Sequence, residues 1–217
     1  MDFYFPYLLD YSHLAVEEVT IFCVAALASI MVSAEGQAFA AALLGDTRPG
    51  AKDRFHYNVF LHMSIIGTLN FLVAGFGWAK EMDIDTKRFK AHPKLYLLIS
   101  RLAGPVANLL LANIAASLNW IIGTYGYEDK VFAAIAVVNV TMAVYNLIPL
   151  LPLPGAALLL LFFPDNDFFT KVKKYLSGIG PYVIIATFGL ARWSGWDGIS
   201  TVFTPIVMAI SKTILGV

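Results

Sequence analysis

The chain has 217 residues, of which 59% are hydrophobic and 14% are charged. Its mean hydropathy of +0.71 excludes an ordinary water-soluble globular domain. The formal net charge is zero, so no overall positive field would attract nucleic acid. We therefore expect an all-α integral membrane protein.

Apolar segments long enough to cross the bilayer recur along the chain, since about 20 helical residues span its hydrocarbon core. The sequence predicts about five transmembrane helices, at residues 20–44, 95–123, 130–162, 179–192 and 200–215. A sixth apolar segment, residues 62–78, is short and contains Gly67, Gly75 and Gly77, so it fits either a span or a re-entrant element. Residues 171–176 are typical of a short surface helix.

The positions of the charges favour the re-entrant alternative, because basic residues in short loops favour the cytoplasmic side. The N-terminal tail is acidic and has no Lys or Arg, which predicts an external N-terminus. Basic groups at residues 48–54 and 80–94 both lie on the cytoplasmic side only if residues 62–78 enter the membrane and return. The same rule places Glu128, Asp129 and Asp197 outside and Lys171, Lys173 and Lys174 inside.

Three prolines interrupt the third predicted span. Pro149, Pro152 and Pro154 each lack a backbone donor and would clash with the preceding turn of a helix. We expect the backbone to open there and to free carbonyl groups, for which water or three amides, Asn108, Asn139 and Asn146, are candidate donors.

Glu35 is the unusual residue of the first span, because an intramembrane carboxylate is usually neutralised, paired or functional. The stretch around it resembles the HExxH helix of the site-2 protease family of intramembrane zinc metalloproteases, with Ala34 and Ala38 at the two histidine positions. In that motif the two His bind zinc from one helix face, and the Glu activates the zinc-bound water. Of these three side chains, this chain has only the Glu.

Four further segments resemble other motifs of that family in the same order, at residues 54–68, 76–81, 102–108 and 146–155. The first contains His62 where NPxxHxDPxGT is usual, and the second is an FGWAKP element with Glu81 in place of Pro. The third matches AGPxxN, including Asn108. The fourth resembles NLxPxxPLDG, in which Pro154 replaces the Asp that is the third zinc ligand.

The resemblance implies one multi-pass membrane domain over residues 1–217, with a site-2 protease-like core at about 20–162 and two C-terminal helices at about 179–215. It also implies a location in the bacterial cytoplasmic membrane. Because Ala34, Ala38 and Pro154 offer no lone pair to a metal, we expect no zinc cofactor. Glu35 would then be a remnant rather than a catalytic residue.

Two questions about this region stay open in the sequence. A relocated metal site would have to use His56 and His62, whereas we interpret His62 as a structural residue that hydrogen-bonds the surrounding loop. The small residues Ala34, Ala38 and Ala42 predict close packing against a neighbouring helix backbone. The alternative is a groove for a partner's transmembrane segment, whose polar lining would be Glu35, His62, Asn108, Asn139 and Asn146.

These observations favour a pseudoprotease that binds other membrane proteins through transmembrane helices, as a regulator or as an accessory subunit of a larger complex. An enzyme hypothesis remains, namely an active intramembrane zinc peptidase with displaced ligands. A third hypothesis is transport or storage of a small ligand in a polar pocket around Glu35.

Overall fold

The computed structural model describes residue 9 and residues 15–48, 57–127, 129–164, 166–195 and 198–216. Within these ranges the regular elements are helices, and the extended backbone there forms an isolated bridge between Met63 and Ala79. Several residues used in the predictions lie outside the described ranges: Asp2, Asp10, Lys52, Arg54, His56, Glu128 and Asp197.

Eight α-helices follow one another in the described chain: α1 Val16–Leu44, α2 Val59–His62, α3 Ile65–Ala74, α4 Pro93–Thr124, α5 Lys130–Tyr145, α6 Ala156–Leu160, α7 Asp167–Ser194 and α8 Gly198–Leu215. A single 3-10 turn, Thr86–Arg88, precedes α4. Three of the helices, α1, α4 and α8, have 29, 32 and 18 residues and are apolar enough to cross a membrane. The prediction of an all-α membrane protein is confirmed.

Helices α1 and α4 pack closely along a seam of small residues. A Cβ atom on Gly36 would lie 2.7 Å from the Cβ of Ala107, and one on Gly104 would lie 2.7 Å from Ser33 Oγ. Neither glycine can therefore carry a side chain without moving the opposite helix. This seam adjoins the Ala34/Ala38 face, with Ser33 and Gly36 as its contact residues on α1.

Residues 62–78 form a re-entrant hairpin, as the charge pattern predicts. Helix α3 leads away from Met63, ends at Gly75 in the left-handed conformation with φ 74°, and the chain then returns to Ala79. The bridge between Met63 and Ala79 and the 2.7 Å bond from Lys80 N–H to the His62 carbonyl hold the two ends together. The segment thus enters and leaves at one level of the molecule.

Later parts of the chain satisfy the carbonyl groups of this hairpin. The amide of Asn146 donates to the Gly77 carbonyl at 3.0 Å, and the Arg192 guanidinium donates to the Val73 carbonyl at 3.0 Å. Irregular backbone at membrane depth needs such internal partners because lipid offers none.

The prediction that the prolines open the third span is confirmed, but the predicted end of that span at residue 162 is wrong. Helix α5 ends at Tyr145, and an irregular loop with a cis Leu151–Pro152 bond leads to the single turn of α6. The loop is closed by a 2.8 Å bond from Gly155 N–H to the Asn146 carbonyl. Residues 130–162 are therefore two helices and a loop instead of one helix.

Helix α7 also differs from its prediction. The proposed surface helix at 171–176 and the proposed span at 179–192 are parts of one continuous helix, Asp167–Ser194. Asn166 begins this helix by accepting a 2.9 Å bond from the Phe169 N–H. Gly180 allows the helix to pass close to the Leu151 carbonyl, where any side chain would collide. Residues 171–176 therefore do not form a separate element.

The direction of α8 contradicts the charge-based prediction. The Tyr145 hydroxyl, at the end of α5, bonds Ser200 Oγ near the start of α8 at 3.1 Å, whereas Ile214 near the end of α8 packs with Ala136 of α5 and Ala115 of α4. Helix α8 is therefore antiparallel to α5 and parallel to α4. The prediction had α8 running opposite to α4. It failed because few charges flank this segment, so that packing decides its direction.

Candidate functional site

Glu35 is paired with a histidine from another part of the chain. His62 Nε2 lies 3.1 Å from Glu35 Oε1, and the Tyr57 backbone N–H donates to the same oxygen at 3.1 Å. The His62 side chain is 3% exposed and that of Glu35 is 13% exposed, so the pair lies largely out of solvent. The other carboxylate oxygen, Oε2, is buried and has no hydrogen-bond partner among the described residues.

The position of His62 follows from the hairpin. Asn58 caps α2 by accepting a bond from the Phe60 N–H, and α2 ends at His62, directly before the bridge at Met63. The bridge fixes the end of α2 against the returning segment at Ala79, and in this position the His62 imidazole contacts Glu35 of α1. The expectation that the His62 ring bonds its own loop is therefore corrected, since the ring contacts Glu35.

The alanines at the two histidine positions are buried in apolar packing. Ala34 is 6% exposed and belongs to a cluster with Phe71 and Ala79, while Ala38 is 0% exposed and clusters with Met82. This arrangement favours the packed interpretation of the face over an open one. The packing partners include the loop after the hairpin, which the small-residue pattern alone did not indicate.

A buried cation lies near the third ligand position. Arg101 of α4 donates to Gln37 Oε1 at 3.2 Å, to Glu81 Oε1 at 3.0 Å and to the Met82 carbonyl at 2.9 Å. Arg101 and Glu81, together with Pro154, line a cavity of only about 10 Å³. The side chains of Arg101 and Glu81 are 13% and 31% exposed, so the cation is better shielded from water than its carboxylate partner.

The Arg101 cluster was not predicted, although two features of the sequence pointed to it. An arginine within a predicted span is as unusual as the acid in the first span, and needs a partner for the same reason. The second signal is Glu81, which stands where the resembling element has Pro. Their separation of 20 residues, however, gives no indication that the two side chains meet.

Three amides proposed as groove lining lie inside the bundle. Asn108, Asn139 and Asn146 are 0%, 0% and 1% exposed. Asn139 donates to the Ile135 carbonyl, and Asn146 donates to the carbonyls of Met142 and Gly77. Each of the three retains at least one buried polar atom without a partner among the described residues. A partner helix would reach these amides only if the helices separated.

The donor set around Glu35 does not fit a catalytic zinc ion. Such a site needs three protein ligands, and within the described ranges no group of three His, Cys, Asp or Glu side chains is close enough to hold a metal. Glu35 and His62 supply two donor side chains, and Ala34, Ala38 and Pro154 supply none. We therefore derive no step that passes through zinc.

Charged residues that follow the end of α1 bind the loop at residues 83–85. Asp46, which is 0% exposed, accepts bonds from Arg48 and from the Asp85 N–H, and Arg48 also donates to Asp83 at 2.8 Å. The hydrogen bond with Asp46, followed by that with Asp83, raises the pKa of the Arg48 guanidinium above its usual value. The loop that covers Ala38 is thus tied to α1 by charge as well as by packing.

The chain is similar to the protein of Bacillus subtilis (strain 168) named "Putative zinc metalloprotease YwhC". The two are 28% identical over 190 residues, which cover 78% of this chain and 86% of that protein. No protein-family model matches the chain. No solved structure matches it either. The similarity shows that this chain has a metalloprotease-like relative, and it extends over most of the length of both proteins.

Proposed function

We propose that the chain is a catalytically inactive relative of the site-2 intramembrane metalloproteases that acts as a non-catalytic membrane subunit. Its role would be to bind or regulate other membrane proteins through transmembrane helices. The proposal includes a location in the bacterial cytoplasmic membrane with the N-terminus outside. Support comes from the metalloprotease-like relative, the hairpin and the helical membrane fold.

The observation that carries the proposal is the environment of Glu35. The residues at the two histidine positions of the motif, Ala34 and Ala38, present buried methyl groups where a zinc site requires imidazoles. The carboxylate is instead hydrogen-bonded to His62 and to the Tyr57 N–H. A general base that activates water must be able to reach that water, and a carboxylate engaged in a structural pair is poorly placed for this.

Surfaces suitable for partner helices are present on α4. Val106, Leu110 and Ile114, at i, i+4 and i+8, are 53%, 61% and 58% exposed. In a bilayer such a stripe contacts either lipid or another transmembrane helix. The proposal assigns partner contact to faces of this kind, because the polar amides are enclosed.

Metal analysis of the purified protein tests the inactive assignment. We expect less than about 0.1 zinc per chain after purification without chelators and exposure to excess zinc, since the described residues bring only two donor side chains together at Glu35 and a catalytic site needs three. The triple variant Ala34→His, Ala38→His, Pro154→Asp serves as the comparison chain with restored donor types. Stoichiometric zinc in the unmodified protein that is lost in Glu35→Gln would refute the proposal.

Gentle purification tests the subunit role. Extraction in a mild detergent, followed by mass spectrometry of the intact assembly, is expected to give a defined complex larger than the single chain. A variant with polar substitutions at Leu110 and Ile114 should release the partner if α4 forms the contact. A stable monomer without partner under several mild detergents would contradict this role.

One observation favours the enzymatic alternative. Glu35 and His62 lie within 3.1 Å of each other, so two possible metal-binding side chains are already adjacent, and the Bacillus subtilis relative carries a metalloprotease name. An active peptidase with displaced ligands would cleave a transmembrane substrate in detergent or liposomes. A chelator, Glu35→Gln and His62→Ala would each have to abolish that cleavage.

A further inference from the structure

A cavity remote from Glu35 lies where α4 and α7 begin. Its volume is about 290 Å³, and neither Glu35 nor His62 lines it. The walls come from the 3-10 turn, the first turns of α4 and α7 and the end of α6. We call it the lysine cavity, and its defining residues are Thr86, Lys94, Leu97, Phe169, Thr170 and Lys173.

Two ammonium groups give this cavity a positive side. Lys94 and Lys173 are both half-buried. Lys94 Nζ donates to the Phe163 carbonyl at 2.6 Å, which holds its charge at the rim. Among the residues that the structure describes, Lys173 forms no ion pair. A half-buried ammonium that forms no ion pair with a described carboxylate favours an anionic ligand.

The other side of the lysine cavity is apolar. Leu97 contributes an aliphatic wall, and the rings of Phe163 and Phe169 stack with centroids 5.0 Å apart. Directly beside them, Phe162 and Phe168 are 83% and 66% exposed. Aromatic side chains of this kind concentrate where the membrane meets water. The cavity therefore combines positive charge with an apolar rim.

The position along the helices suggests which membrane level the cavity occupies. Lys94 follows Pro93, the first residue of a 32-residue helix that is long enough to span the bilayer, so the cavity lies at one end of that span. Basic pockets between helices at the cytoplasmic surface are suited to anionic lipid headgroups. Phosphate groups of phospholipids lie at this level.

We propose that the lysine cavity binds a phosphate group, held between Lys94 and Lys173. The exposed aromatic rim makes an anionic phospholipid the favoured source, because its acyl chains would contact Phe162 and Phe168 while the phosphate enters the cavity. A free phosphate ester has the same recognition chemistry without the chains. The site is independent of the proposed function and of Glu35.

Native mass spectrometry of the full chain in detergent tests the proposal by titration with three probes: phosphatidylglycerol, phosphatidylcholine and inorganic phosphate. We expect phosphatidylglycerol to bind preferentially, and Lys173→Ala to weaken that binding about fivefold, which is the usual effect of one basic residue near an anionic lipid. The matched control is Lys174→Ala, which removes the same charge from the same helix at an exposed position outside the cavity.

The outcomes distinguish the sources. Tight binding of inorganic phosphate that also depends on Lys173 would support a free phosphate site, whereas binding of phosphatidylglycerol alone supports a lipid site. Equal losses in Lys173→Ala and Lys174→Ala would overturn the proposal, since general surface charge would then explain the binding. Equal affinity for phosphatidylcholine would overturn it as well.

A second variant keeps the test decisive if Lys173→Ala does not fold. Leu97→Phe retains both lysines and fills part of the cavity, so it should reduce phosphatidylglycerol binding by crowding alone. Unchanged binding in a folded Leu97→Phe protein would show that the lipid is held elsewhere.

Discussion

Among single residues, Glu35 is held by two partners from outside its own helix, the His62 ring and the Tyr57 N–H. An acid within an apolar helix needs a partner, and this requirement was predictable from Glu35 alone. Its identity was not, because Tyr57 and His62 lie 22 and 27 positions later and reach α1 only through the hairpin. The missing zinc ligands, by contrast, are readable directly as Ala34, Ala38 and Pro154.

Removing the ring of His62 should destabilise the protein. We expect His62→Ala to cost about 1–2 kcal/mol, because it leaves a largely buried carboxylate without its side-chain partner. The measurement is the folded fraction during titration with sodium dodecyl sulfate in mixed micelles. The control is His92→Asn, an exposed position with φ 44° that Asn tolerates.

A double variant separates pairing from packing. In the His62→Ala background, Glu35→Gln removes the charge that lost its partner and should recover part of the stability. If the two substitutions simply add, the contact between Glu35 and His62 contributes nothing to folding.

Arg101 should contribute more to stability than the exposed Arg88. Arg101→Met leaves Glu81 and Gln37 without their cation, and we expect a loss of about 2–3 kcal/mol, less than for a fully buried pair because Glu81 is 31% exposed. The exposed pair of Arg88 with Asp85 is the control, and Arg88→Met should cost under about 1 kcal/mol. The same detergent titration measures both.

The double variant Arg101→Met, Glu81→Met should be more stable than Arg101→Met alone, since the partly buried Glu81 charge then no longer lacks its cation. Greater loss in the double variant would mean that Glu81 has another stabilising partner.

At the scale of elements, helix existence was predictable and helix boundaries were predictable only where local chemistry sets them. The prolines after Tyr145 and the glycine at the end of α3 are local signals, and both elements end as the residue types require. The continuity of α7 is different. Nothing near Lys171 distinguishes a surface helix from the start of a longer one, and the close approach of Gly180 to the Leu151 carbonyl joins residues that are distant in the sequence.

The seam between α1 and α4 gives a prediction at this scale. Gly104→Ala should destabilise the protein by about 1–3 kcal/mol, because the added methyl group would lie 2.7 Å from Ser33 Oγ. Gly123→Ala, in the same helix with no atom within 4 Å, should be neutral or stabilising by about 0.5–1 kcal/mol. Thermal unfolding in detergent compares the two, and equal effects would mean that the helices separate easily at Gly104.

At the scale of the whole molecule, apolar composition predicts residence in lipid but leaves open which helix neighbours which. The charge rule succeeded for the hairpin, where basic groups flank both ends. It failed for α8, where the contact of Tyr145 with Ser200 and Phe203 sets the direction and few charges are present. Packing information of this kind is distributed over many residues and has no local signature.

Cysteine labelling tests the resulting topology. In a Cys23→Ser background, we expect a membrane-impermeant maleimide to label Tyr127→Cys in intact cells, and to label Lys87→Cys only after permeabilisation. Because α8 is parallel to α4, a cysteine appended after residue 217 should be labelled together with Tyr127→Cys. Labelling of the appended cysteine together with Lys87→Cys would restore the opposite direction for α8.

The dependence of the hairpin on later residues also sets an order of events during synthesis. The Gly77 carbonyl accepts a hydrogen bond from a residue 69 positions later, and the Val73 carbonyl accepts one from a residue 119 positions later. At about 5–20 residues per second, the ribosome needs roughly 6–24 s to add those 119 residues. The Gly77 carbonyl gains its partner when Asn146 is made, but the Val73 carbonyl lacks Arg192 until α7 is complete. Until then the hairpin depends on water or on the insertion machinery for that hydrogen bond.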